Sequence, residues 1–348
     1  MKRAVILGGT GVLGRAIAWR LIRAGWAVEI TGRDGRKMPA DLAAAGARFV
    51  VAERRDDAAL AGVVGGGADL LVDAVCYTEA DARQLLPHLT DVTSAAMLSS
   101  KAVYVDAAGN HVNSDVPPRF DAPILEGNPT MRPGAGDYDS REGYGANKVA
   151  AENALLDSGH PVTVIRASKV HGEGAARPRE WMFVKRVLDR RPAVFLAHAG
   201  RGGDHTTAAV NTAALVERVA AVPGPRILNS ADPDAPNARQ IAAAIARHLG
   251  HQWEEVLLGD TAPAGLGGHP WDFRPPLVLS TKASLDLGYE PAGTYAQTIP
   301  HQVDWLVKAA AAGAVPGTDD PSFEHYVDYA REEQFTGSRP ERTRQRPL

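Results

Sequence analysis

Short apolar runs alternate with amphipathic stretches over the first 76 residues. RAVILG at 3–8 has the length and content of a buried strand. Over 12–24, Leu13, Ile17, Leu21 and Ile22 fall at helical spacing, and Gly25 supplies a stop. AVEITG (27–32), ARFVVAE (47–53) and DLLVDAVC (69–76) predict three further strands, with helices over 38–45 and 57–64 between them. AAMLSS (95–100) and PVTVIRA (161–167) extend the series, with a helix over 143–156 before the last. Strands alternating with helices predict an α/β fold: a doubly wound parallel sheet, the Rossmann fold, with right-handed crossovers. After 170 the pattern loosens into helices near 180–190, 207–221, 237–249 and 298–312.

These patterns predict a dinucleotide-binding domain over 1–170 and a smaller C-terminal substrate lobe over 171–334, interleaved with the last sheet strands. Residues 335–348 are expected to be a mobile tail. The stretch 106–143 is rich in Pro, Gly, Asp and Asn and is expected to be a lid or binding loop, with a disordered insertion as the alternative. A formal net charge of −3 argues against a general nucleic-acid or membrane binder. The single cysteine, Cys76, allows no intrachain disulfide and suggests a cytoplasmic protein. No apolar run reaches membrane-spanning length, and the N-terminal apolar run passes straight into glycines where a signal peptide would continue.

LGGTGVLGRA joins the first strand to the first helix. Gly9, Gly11 and Gly14 satisfy G-x-G-x-x-G, and Gly8, Gly11 and Gly14 satisfy G-x-x-G-x-x-G. Missing side chains let the backbone approach a pyrophosphate, and the helix N-terminus presents free N–H groups. The strand–turn–helix context supports dinucleotide binding by Gly8, Gly9, Thr10, Gly11, Val12, Leu13 and Gly14. A turn used only for close helix–sheet packing is the alternative.

GYGANKVAAENALL, 143–156, places Tyr144 four residues before Lys148, on one helical face. Ser100 ends a strand, where open α/β sheets bind ligands. Ser, Tyr and Lys in this order behind a glycine loop resemble the short-chain dehydrogenase/reductase superfamily. The likeness is to its extended branch, the NAD-dependent epimerase/dehydratase family, and runs from Lys2 to about Lys308. SSKAVY, YGANKVAAE, IRASKVHGEG and STKASLDLGYEP each resemble a family segment. The resemblance implies that Ser100, Tyr144 and Lys148 are catalytic. Lys148 would also hold the nicotinamide ribose, and Ala74 and Val75 would line the cofactor. A phenol titrates near 10, and an adjacent ammonium is expected to lower that value so that Tyr144 can exchange a proton with an alcohol or carbonyl. Glu152 is expected to be structural.

The resemblance puts Gly32 where NAD-specific members carry an acid, with Arg33 next. That predicts NADP, with NAD possible if Asp34 is the ribose acid. Glu53 and Arg54 are expected beside the adenine. Departures from the family include Asp73-Ala74-Val75-Cys76 for His-Leu-Ala-Ala, where Asp73 is expected to be a structural substitution and Cys76 a buried filler. Val210-Asn211-Thr212 replaces Val-Asp-Asp, and Lys169 stands where nucleotide-sugar members carry asparagine. Lys169 would face either an anionic substrate or solvent. Lys101, Lys169, His171 and His205 are candidate substrate contacts, and no metal site is expected. Trp181 and Trp271 would be core or pocket wall.

The leading expectation is an NADP-dependent oxidoreductase acting on a carbonyl or secondary alcohol of a small metabolite. A nucleotide-sugar epimerase or dehydratase, and a non-catalytic nucleotide-sensing or RNA-associated relative, are the alternatives. The resemblance also implies a homodimer formed partly by the helix bearing Tyr144.

Overall fold

The computed structural model describes residues 1–317, Phe323 and 325–337. In chain order the first half comprises β1 (Arg3–Leu7), α1 (Val12–Arg23), β2 (Ala27–Gly32), α2 (Ala40–Ala44), β3 (Arg48–Val51), α3 (Asp57–Val64), β4 (Leu70–Asp73), α4 (Glu79–Leu85), β5 (Ala95–Ser100), α5 (Arg141–Leu156) and β6 (Val162–Ala167). There follow β7 (Lys169–His171), α6 (Trp181–Leu188), β8 (Ala193–Leu196), β9 (Thr206–Ala208), α7 (Ala209–Ala221), β10 (Arg226–Ser230) and α8 (Ala238–His248). The described chain closes with β11 (Glu254–Leu257), α9 (Lys282–Asp286), α10 (Tyr295–Ala311) and α11 (Tyr329–Gly337).

Seven parallel strands form the main sheet in the order β10-β6-β5-β4-β1-β2-β3. Its two faces follow from the two-residue period of a strand. Ala4 and Ile6 of β1 pack with Ile17 and Leu21 of α1 and Leu215 and Val219 of α7. Val5 and Leu7 face the other way, toward Leu60 of α3, Leu85 of α4 and Leu155 of α5. Both faces are covered, which is why the strands read as continuous apolar runs.

A second core holds the smaller lobe. Phe183 of α6, Val194 of β8, Ile241 and Ile245 of α8, Ile299 and Val303 of α10 and the fully buried Trp271 pack together, with Trp181 partly buried at the margin. Two short parallel pairs, β8 with β11 and β7 with β9, tie the lobe together.

α4 was not expected. Its sequence, T-E-A-D, forms a capping box in which Thr78 accepts from the Asp81 N–H and Asp81 accepts from the Thr78 N–H. Residues 335–337, the start of the expected tail, end α11, in which Glu332 pairs with Arg186 at 2.5 Å. The rest of that tail lies outside the described residues. Among the described residues no helix is long and apolar enough to cross a membrane.

Candidate active site

The turn between β1 and α1 is built around missing side chains. Gly8 sits at φ +77°, in the left-handed region that favours glycine. A Cβ on Gly9 would lie 2.4 Å from Ile30, and one on Gly14 would lie 2.7 Å from the Gly8 carbonyl oxygen. Gly11 differs: a Cβ there would meet only the Gly8 carbonyl, at 3.7 Å, so its open side faces the cavity. That cavity, about 590 Å³, is lined by Gly8, Thr10, Gly11, Val12, Leu13 and Gly14 at one end and by Arg33, Asp34, Lys37, Glu53 and Arg54 at the other. Ala74 and Val75 complete the wall. A backbone cradle at a helix N-terminus with a charged far rim fits a dinucleotide.

The rim sorts the expected cofactor residues. Arg33 is exposed. Asp34 accepts two hydrogen bonds from the Arg36 guanidinium, at 3.0 and 2.9 Å, which holds its carboxyl below the usual range. Arg54 lines the cavity, but its guanidinium is engaged elsewhere. It donates to Asp73 at 2.7 Å, to the Asp81 carbonyl at 2.6 Å and to Gln84 at 3.1 Å. Asp73 is therefore a structural substitution, 1% exposed and paired with Arg54.

A second cavity of about 430 Å³ adjoins the first, since Leu13, Ala74 and Tyr77 wall both. It contains Ser100, Tyr144 and Lys148 together, so the three residues predicted to act together do meet. Their placement has a physical cause. Glu152 of α5 accepts from Ser99 of β5 at 2.5 Å and from the Arg166 guanidinium of β6 at 2.6 Å, all three side chains being buried. This pins α5 to two neighbouring strands, one residue from Ser100. Glu152 is structural, as expected.

The Ser100 hydroxyl lies near the Tyr144 phenol in this cavity. The expected lowering of the phenol is corrected: burial pushes Tyr144 above its ordinary value, and the nearby Ser100 hydroxyl only partly opposes it. The Lys148 ammonium is turned elsewhere. It donates to the Cys76 carbonyl at 2.7 Å and to the Leu98 carbonyl at 3.0 Å, and lies 4.6 Å from the centre of the Tyr77 ring. Two carbonyls and a ring face account for its three donors. Cys76 is a buried filler whose thiol is pushed up by burial.

The segment between β5 and α5 reaches both cavities. Val112 and Asn113 line the second, and Tyr138 lines the first. Tyr138 stacks on Tyr77, with centroids 5.4 Å apart and planes 17° from parallel. Arg55 covers Tyr138 at 5.0 Å. Asn147 of α5 donates to the Gly136 carbonyl at 2.8 Å, fixing the end of the segment. Sequence reasoning named neither tyrosine, because neither belongs to a family segment.

Lys101 and Lys169 both line the second cavity, and the solvated reading of Lys169 is overturned. Lys169 reaches Asp204 at 2.8 Å and the Pro270 carbonyl at 2.7 Å. Lys101 contacts the other oxygen of Asp204. Burial and neighbouring cations work against charge on both ammoniums, and the Asp204 carboxylate they share works for it. Arg179 lines the same wall. Asp204 and Arg179 were missed, although Asp204 directly precedes the candidate His205.

Neither candidate histidine lines this cavity. His171 pairs with Asp232 at 3.0 Å and packs against Tyr295. His205 bonds the Asp232 carbonyl at 2.9 Å and accepts from the Leu279 N–H at 3.1 Å. Both tie β10 to the lobe. Among the described residues no cluster could hold a metal ion.

No family model and no curated protein matches this sequence. Solved structures do match in fold. A dTDP-glucose 4,6-dehydratase from Bacillus anthracis in complex with NAD aligns at TM-score 0.66 and 14% identity, over 89% of this chain and 98% of that one. A UDP-glucuronic acid 4-epimerase from Bacillus cereus in complex with UDP-glucuronic acid and NAD aligns at 0.64 and 12%, over 88% and 99%. A Thermus thermophilus UDP-glucose 4-epimerase in complex with NAD aligns at 0.61 and 18%, over 87% and 98%. The chain has the Rossmann-like fold of these epimerases and dehydratases.

Proposed function

We propose that the chain is an NAD(P)-dependent enzyme of the extended short-chain dehydrogenase/reductase type, an oxidoreductase acting on a carbonyl or secondary alcohol of a small metabolite. The observation that carries this is the convergence of Ser100, Tyr144 and Lys148 on a cavity that adjoins the glycine cradle. When bound along that cradle, the nicotinamide dinucleotide supplies or accepts the hydride. Tyr144, kept protonated at neutral pH by burial, gives its proton to the substrate oxygen in the reductive direction. Ser100 hydrogen-bonds the same oxygen and orients it. NADP is the preferred form in this reading. Arg33 and Lys37 border the rim, and Asp34 is neutralised by Arg36.

The epimerase and dehydratase neighbours favour a second reading, transient oxidation with cofactor regeneration. One experiment separates the two. The protein is purified, any retained nucleotide is identified by mass spectrometry, and carbonyl substrates are screened for NADPH loss. Net NADPH consumption supports the oxidoreductase. A retained nucleotide and an isomerised or dehydrated product without net consumption support the second reading.

A further inference from the structure

We infer that the second cavity takes a substrate bearing an oxyanion, a carboxylate or phosphate, which docks against Lys101, Lys169 and Arg179. This rests on the reading of the cleft as an active site and names its substrate class. Three basic side chains, Lys101, Lys169 and Arg179, share the cavity wall with one carboxylate, Asp204, which the two lysines contact. Lys101, Lys169 and Asp204 are all largely removed from water, and Asp204 is only 2% exposed. Holding surplus positive charge in such a place is costly, and a ligand anion supplies the missing counter-charge.

The donors left over point the same way. An ammonium has three N–H groups. Lys169 uses one on Asp204 and one on the Pro270 carbonyl. Lys101 has no hydrogen-bond acceptor beyond its contact with Asp204. Arg179 lines the same wall, and its planar guanidinium fork suits an oxyanion. Asp204, shared between the two lysines, aims both into the same wall.

The dinucleotide's own phosphates do not fill this role, because the glycine cradle lies across Leu13, Ala74 and Tyr77 in the other cavity. Lys101 directly follows Ser100, so the anion sits on the same molecule as the reacting carbon and near it. A neutral hydroxyl-rich group would leave the cations without counter-charge, so such compounds are rejected.

Calorimetry on the NADPH-loaded protein tests this with malonate, inorganic phosphate and neutral glycerol as probes. At least one oxyanion should bind and glycerol should not; the tighter oxyanion identifies the carboxylate or the phosphate. Lys169→Met and Arg179→Gln should each weaken that binding about tenfold or more, as loss of a charge-assisted contact does, with NADPH affinity unchanged. Arg179 is partly exposed, so its replacement leaves the fold intact. Oxyanions that bind no better than glycerol, or that bind both variants as tightly as the wild type, would overturn the assignment. A wild-type protein that binds NADPH and turns over a carbonyl but binds neither oxyanion rejects this inference alone. Intact anion binding with no turnover of any carbonyl rejects the enzymatic reading alone.

Discussion

Around Gly11 the cleft wall is main chain, with an open space where a methyl group would stand. Around Asp204 it is side chain, with buried lysines held on a shared carboxylate. The first region selects by shape and by partial charges at a helix end, which suit any dinucleotide. The second selects by full charges in a dry setting, where a mismatch in the ligand is expensive. General chemistry is thus written into the backbone and particular chemistry into side chains contributed by distant segments.

Tyr144→Phe breaks the comparison most severely, since it removes the proton donor and leaves the ring. Turnover should fall by about 10²- to 10⁴-fold, with NADPH affinity by calorimetry nearly unchanged; near-normal turnover would refute the proton-transfer role. Arg33→Ala probes the rim. It should weaken NADPH by about 1.5–3 kcal/mol, roughly ten- to a hundredfold, and leave NADH almost unchanged. A wild-type protein that prefers NADH would refute the assignment.

Gly11→Ala sharpens the contrast between fold and ligand space. Its methyl group enters open space, so the unfolding free energy should stay within about 0.5 kcal/mol of wild type while dinucleotide affinity drops. By contrast, Gly14→Ala meets the main chain of Gly8 and Gly9 at 2.7 Å and should destabilise by about 1–3 kcal/mol. Equal effects on stability would show that the loop packs tightly throughout.

The smallest effect concerns pH. His171 is raised by Asp232 and Glu180 against the opposing cost of burial, and Asp232 is lowered by His171 and Thr206. Gln302 and Tyr295 also face the ring. A raised histidine contributes fully below its unfolded value near 6.5 and loses that contribution as pH rises through its folded value. Wild-type thermal stability should therefore decline above about pH 6.5 more steeply than that of His171→Asn. Parallel profiles would show that the pair is neutral there.

The sheet was legible because buried parallel strands are short apolar runs: 27–32 and 95–100 match β2 and β5 residue for residue. The glycine loop was legible because its chemistry is local in sequence. Ser100, Tyr144 and Lys148 were found by resemblance. Their mutual geometry was not, since the lysine turns to main-chain carbonyls and Tyr77, and burial sets the direction of the phenol's shift. The charge cluster was only half visible. Lys101 and Lys169 stood out as departures, but Asp204 and Arg179 join them through folding of irregular segments with no period to read. The T-E-A-D cap of α4 was a readable signal that was passed over.

The strand order has a further consequence. β10 enters the sheet beside β6, pairing Arg226 with Thr163 through Ser230 with Ala167, some sixty positions apart in the chain. A fragment ending near residue 170 would hold every residue of the glycine cradle, yet β6 would become an open edge of unpaired N–H and C=O groups. Without α7 it would also uncover Ile17 and Leu21 of α1. Such a fragment is a template for aggregation, so the boundary at 170 divides two binding surfaces inside one folding unit, and the nucleotide half is not a module that can be cut out and moved to another chain.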